Sequence, residues 1–368
     1  MQAAAGEMRD PVGPLAEPDV RRLASVLAGA WRRSPEPLDI SPGALQRITP
    51  SLLRSKTGAL AWWRVRHSPL RTSVSGVRLR DAYQHHGFQA ALHARSLNRV
   101  VTRLRAGGVE PLLMKGPAIA RHYVERGLRP FGDLDLAVRP DQFSMARAIL
   151  HDWTGEVTPV DLHRGFHPLY GRSWDELYAR AELVTFGGIG VRVLGPEDHF
   201  RLLCLHQLKH GASSPLWLCD VAVALEMRAT TFDWDHALGP ERRRADWIAC
   251  VIGLAHHLLE VPIDDTPVAG RARRLPRWLV PSVLRQWARH CAADYQFPDH
   301  SAPAWRFLAR GPETFRQYWP STIAASIHLH APFNSLPRMP IQVVDAFGRT
   351  IRFCVRRLLG RRPEGDLV

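Results

Sequence analysis

The sequence predicts an α+β fold: a small mixed sheet with helical additions at both its N- and C-terminal sides. Three observations predict it. Short aliphatic runs with strand character are confined to about residues 85–195. Patterns of helical period flank them on both sides. The segment Asp133-Leu134-Asp135-Leu136-Ala137-Val138 alternates acid and aliphatic, the period-two mark of a half-buried strand.

Each element follows from local pattern. Residues 1–20 are rich in Ala, Gly, Pro and acids and read as a flexible tail. Residues 21–84 form an N-terminal helical region, with Leu23, Val26 and Leu27 on one face. A clearer helix spans about 82–106, where Leu97, Val100, Val101 and Leu104 recur at helical spacing before Gly107-Gly108. Val109 to Met114 reads as a buried strand, Lys115-Gly116-Pro117 as a sharp turn, and Ala118 to Tyr123 as a helix opened by Pro117. After the strand at 133–138, Asp141 is placed to cap a helix carrying Phe143, Ala146, Ile149 and Leu150. A further strand ends at Val160-Asp161-Leu162-His163. Residues 196–300 read as a helical domain, and 301–368 as an extension ending in a basic amphipathic helix, Val344 to Leu359.

Composition removes several classes. With 45% hydrophobic and 23% charged residues the chain is an ordinary globular mixture, not a disordered or collagenous one. No run is long and apolar enough to span a bilayer, and the first residues do not resemble a signal peptide, so a cytoplasmic location is expected. The five cysteines are scattered without C-x-x-C spacing and read as buried thiols. The net charge of +14 is carried almost wholly by arginine; only Lys56, Lys115 and Lys209 are lysine. It favours anionic ligands without choosing among them.

Asp133 and Asp135 are two apart on a strand and point to one face. Two carboxylates that close repel unless a cation lies between them, and hard oxygen donors suit Mg²⁺ shared with phosphates. On that reasoning Asp135→Asn should silence the site while leaving stability intact or raising it. Upstream, Gly116 lets backbone approach a phosphate; downstream, Asp161 ends a neighbouring strand and offers a third carboxylate. His206 and His210 are four apart on a helix, but residue 207 is Gln, so the spacing favours packing over zinc. His163 follows Asp161 by two and is an accessory candidate for orienting it or touching phosphate, with ordinary packing as the alternative.

These residues resemble a family. Leu113-Met114-Lys115-Gly116, then Arg129, then Asp133-Leu134-Asp135-Leu136-Ala137-Val138 is similar to the nucleotidyltransferase core of the DNA polymerase β superfamily. Val160-Asp161-Leu162-His163, Leu194-Gly195-Pro196-Glu197-Asp198, Cys204 to His210 and Trp217 to Ala222 resemble, more narrowly, an uncharacterised bacterial nucleotidyltransferase family over about residues 85–260. The resemblance implies Asp133, Asp135 and Asp161 as catalytic carboxylates and metal ligands. It implies Lys115, Gly116 and Arg129 at the nucleotide, and two Mg²⁺ ions when an NTP, expected to be ATP, is bound. One departure is visible: the superfamily turn is Gly-Ser or Gly-Gly, whereas Pro117 has no N–H to donate. The expected reaction is transfer of a nucleoside monophosphate to an unidentified acceptor with release of pyrophosphate. An idle scaffold of the same fold and a toxin–antitoxin or tRNA-acting enzyme are the alternatives. Nucleic acid is not an expected partner, since no recognisable binding motif appears. The basic amphipathic helix Val344–Leu359 has two readings: the more usual one packs its apolar face on its own domain, and the alternative is peripheral contact with an anionic membrane.

Overall fold

The computed structural model describes residues 15–151, 158–291 and 319–358. The expected tail thus lies mostly outside the described residues, as does part of the C-terminal extension.

An N-terminal group of helices, α1 (Glu17–Leu27), α2 (Pro42–Arg54) and α3 (Gly58–Val65), leads into α4 (Val74–Ala106). This 33-residue helix begins earlier than the apolar spacing indicates, because the Ser73 hydroxyl accepts from the Gly76 N–H and starts it. Five strands follow: β1 (Leu112–Leu113), β2 (Leu134–Val138), β3 (Val160–Arg164), β4 (Glu182–Phe186) and β5 (Ile189–Val193). Between them lie the single turn α5 (Pro117–Ala120), α6 (Phe143–Ile149) and α7 (Trp174–Ala179). Among the described residues beyond β5 the elements are all helices: α8 (Pro196–Lys209), α9 (Pro215–Glu226), α10 (Trp234–Leu238), α11 (Arg242–Leu259), α12 (Ala269–Arg273), α13 (Leu279–His290), α14 (Thr322–His328) and α15 (Met339–Leu358).

The sheet runs in the order β3-β2-β1-β5-β4. β2 pairs parallel with β3 and antiparallel with β1; β1 is parallel to β5, and β4–β5 form an antiparallel hairpin. The α+β class with a mixed sheet is as expected. The hairpin was not anticipated, although its signal is legible: Gly187 and Gly188 both take positive φ between two strands, as a two-residue hairpin turn requires. A second difference is the helix after the Lys115-Gly116-Pro117 turn, which ends after one turn at Ala120 instead of reaching Tyr123. A third is Asp141, which does not cap α6; Gln142 holds that position without a side-chain bond.

Strand alternation divides the core. Leu134, Leu136 and Val138 point to one face and pack on Leu97, Val100, Val101 and Leu104 from the end of α4. Asp135 and Ala137 point to the other face, and Ala137 joins the larger core built with α1, α8, α9 and α11. Asp135 of β2 therefore faces the helical body. Among the described residues, no helix is long and apolar enough to cross a membrane.

Burial sets how stability responds to acid. Desolvation lowers His86, His122, His167 and His290 to about 4, His199 to about 3, and His206 well below its ordinary value. Each folded value lies below the unfolded one near 6.5, so the unfolded chain takes up protons first as pH falls. This contribution is fully present above about pH 6.5 and is lost as pH drops toward the folded values. Buried His199 and His206 each contribute a slope of up to about 1.4 kcal/mol per pH unit. Thermal melts from pH 7.5 to 5 should show a falling Tm. A flat profile would mean that these imidazoles are solvated or paired with acids.

Candidate active site

The site begins with register. Asp135 on β2 is aligned with Asp161 on β3, and Ala137 with His163. In a parallel pair, aligned residues share a face, so Asp135, Asp161 and His163 converge on the side turned toward the helical body. Oxygens of both carboxylates and an imidazole nitrogen lie within 4.8 Å of one another. His163 Nε2 is 3.1 Å from Asp161 Oδ2 and 3.4 Å from Asp135 Oδ1.

Lys115 closes the cluster from β1. Its Nζ lies 2.7 Å from Asp135 Oδ1, and both side chains are largely buried. The lysine reaches this point because Gly116 turns the chain sharply after Met114. Gly116 has φ +54° and ψ −111°, a conformation that side chains with a Cβ strongly disfavour. Pro117 then occupies the first position of α5.

Charge compensation sets the protonation states. Burial by itself pushes the Asp135 carboxyl up, but hydrogen bonding to His163 and the Lys115 ammonium outweigh it and hold the acid below its ordinary value. Burial pulls His163 down, yet its bonds to Asp135 and Asp161 leave it raised overall. By linkage, the His163 contribution to stability is present below its unfolded value and is lost as pH rises through the folded one.

Asp133 is placed differently. It precedes β2 on the exposed lip and is not one of the three clustered ligands. Its carboxyl is raised by desolvation and then by the nearby Asp135 charge, with Asp161 adding to the effect. Opposing this are Lys115 and also Lys56, whose Nζ is 3.6 Å from the position a Cβ on Gly132 would take. Lys56 was not singled out from sequence. The sequence offered only the rarity of lysine in an arginine-rich chain; that Lys56 lies beside the acidic pair comes from the fold. The charge of the third, Lys209, reaches His167 and His206.

Arg129 is a correction. Expected at the nucleotide, it is buried, and its Nε and Nη2 donate to Asp220 on α9 at 3.0 and 2.6 Å, with Nη1 on the Pro130 carbonyl. Asp220 also accepts from the Tyr123 hydroxyl at 2.8 Å. The guanidinium thus ties the loop before β2 to α9, buried and with its Nε–Nη2 edge occupied by Asp220. His206 and His210 pack edge-on against Trp217 on α9, at 4.6 and 5.3 Å between ring centroids, which is a packing role.

The residues present suit a divalent cation: two carboxylates from adjacent strands and an imidazole share one small volume. The same volume is balanced by Lys115 and His163, so the cluster does not depend on an ion to hold its shape.

No curated protein and no solved structure matches the chain. A family model described as "Uncharacterised nucleotidyltransferase" matches residues 46–155 and 153–260, more than half of the chain. The match starts well before residue 85 and brings α2, α3 and Lys56 within the family's span. It also contains Lys115, the β2–β3 carboxylates and the Arg129–Asp220 pair, so the chain belongs to this nucleotidyltransferase family.

Proposed function

We propose that the protein transfers a nucleoside monophosphate from an NTP, ATP in the first instance, to an acceptor hydroxyl, releasing pyrophosphate. The observation that carries this reading is the Asp135–Asp161 register facing Lys115 across the Gly116 turn. The acceptor oxygen attacks the α-phosphorus, and the bond from that phosphorus to the bridging oxygen of pyrophosphate breaks.

Asp135 and Asp161 are the carboxylates that hold Mg²⁺, with Asp133 available at the lip. Bound there with the triphosphate, Mg²⁺ supplies charge neutralisation at the phosphoryl oxygens. Asp161, the more exposed of the pair, takes the acceptor's proton, and His163 holds its carboxylate in place. Gly116, which carries no side chain, lets backbone approach a phosphate beside β1. Lys115 and Lys56, in place of Arg129, offset the charge of the triphosphate, as compact cations on flexible stems.

Calorimetry with ATP tests this. Binding should be markedly tighter with Mg²⁺ than in excess chelator, because Asp161 and the lip carboxylate Asp133 otherwise turn negative charge toward a polyanion while Lys115 is engaged with Asp135. Lys56→Ala should weaken binding of the Mg²⁺–ATP pair while leaving the melting temperature unchanged. Equal or tighter ATP binding in chelator would overturn the reading. Mass spectrometry of candidate acceptors after incubation with each NTP then identifies the modified product.

A further inference from the structure

The C-terminal helix α15 is docked with the wrong side inward for an ordinary surface helix. An amphipathic helix normally buries its apolar stripe and leaves charge in solvent. Here the buried side carries Asp345, Ala346 and Arg349. Asp345 pairs with Arg349 one turn on and with His328 Nδ1 of α14 at 3.3 Å. Gln342 bonds the Pro320 carbonyl at 2.7 Å on the same side.

The apolar side is left facing out. Val344 is 56% exposed, Phe347 66%, Ile351 62% and Val355 47%. Their spacing of three and four residues makes one continuous stripe along three turns. Scattered exposed apolar residues are ordinary; an aligned stripe of four is not. The stripe has cationic flanks. Arg352 is exposed beside it, and Arg356, Arg357, Arg361 and Arg362 follow in the sequence with no acid before residue 364.

We propose that the outward face of α15 binds the surface of an anionic lipid bilayer, with Val344, Phe347, Ile351 and Val355 entering the headgroup–acyl boundary. The helix lies in the plane of the interface, its roughly 30 Å length parallel to the surface. Arginines at the flanks meet anionic headgroups, and the Asp345–Arg349–His328 contact fixes the helix to the body of the protein. Charge complementarity selects this occupant. A second copy of the chain would bring one arginine-rich strip against another, whereas anionic lipid supplies both the apolar layer and the opposite charge. The inference does not depend on the proposed chemistry.

Flotation of the full chain tests it, using vesicles of phosphatidylcholine with and without phosphatidylglycerol. The protein should float with the anionic vesicles and release as salt is raised. Phe347→Ser with Ile351→Ser should lower binding at least about tenfold without changing ATP binding or the melting temperature. Cys354 is the exposed thiol beside the stripe, and the other four cysteines are buried. An environment-sensitive dye at Cys354 should therefore shift to the blue on anionic vesicles. Equal flotation of wild type and the double variant, or none by either, would overturn the proposal. So would a dimer in sedimentation velocity that the double variant abolishes, since a second copy would then cover the stripe. A fall in Tm of the double variant without vesicles would equally overturn it, showing the stripe covered by the chain itself.

Discussion

Replacing Asp220 with alanine should destabilise the protein by about 3–5 kcal/mol, the usual cost of leaving one member of a buried ion pair without its partner. Arg129 and Asp220 are both buried, and the pair is a two-point fork closed further by the Tyr123 hydroxyl. Removing the acid strands a buried guanidinium, which cannot shed its proton because its intrinsic affinity for it is too high. Arg129→Met alone should be almost as harmful, because it strands Asp220. The double variant Arg129→Met, Asp220→Leu should recover much of the loss, because matched apolar residues avoid the desolvation of both charges. Denaturant titration of the four proteins yields the coupling energy. A phosphate ligand would behave otherwise: Arg129→Met would then weaken ATP binding and leave the unfolding midpoint unchanged, and that result would reverse the assignment made here.

Asp135→Asn should reduce nucleotide transfer, read as pyrophosphate release, by about 10³-fold, equivalent to about 4 kcal/mol of lost transition-state stabilisation. The amide keeps the shape but is a weaker ligand for a hard cation and carries no charge to balance Lys115. For the same reason the variant should melt lower than wild type by a few degrees. Simple repulsion between acids predicts the opposite, a neutral or stabilising change. The structure reverses that expectation because Asp135 is already compensated: Lys115 lies at 2.7 Å and His163 bonds it from β3. Deleting its charge removes an attraction and leaves a largely buried ammonium with a weaker partner. Asp161→Asn separates the two effects. Asp161 is part-exposed and bonded only to His163 among the site residues, so its loss should cost activity on the same scale with little change in Tm. Full activity in both variants would remove this cluster from the reaction.

The different fates of these residues follow from the range over which their partners lie. The strand at Asp133 to Val138 was legible because its determinants are local. Alternation of acid and aliphatic within six residues dictates which side chains share a face, and neighbours within one strand enforce it. Gly116 and Pro117 were legible for the same reason, since a turn is settled by the residues inside it. The C-terminal end of α4 could be read from Gly107-Gly108 and the stripe before them, whereas its start rested on Ser73, outside the apolar pattern.

Pairings between distant segments are another matter, and only the tertiary structure decided them. Arg129 meets Asp220 across 91 positions, and nothing near either residue in the chain distinguishes a buried fork from a phosphate ligand. Lys56, in the turn between α2 and α3, reaches the lip of the site only because the fold brings that turn beside Gly132. Amphipathicity of α15 is a property of its sequence, but which side faces out depends on His328 meeting Asp345, a contact between two helices. Likewise the chain alone determined that Asp135 and Asp161 lie on strands. Their union at one point came from the β2–β3 register, and a slip of a single residue would have sent one of them to the opposite face.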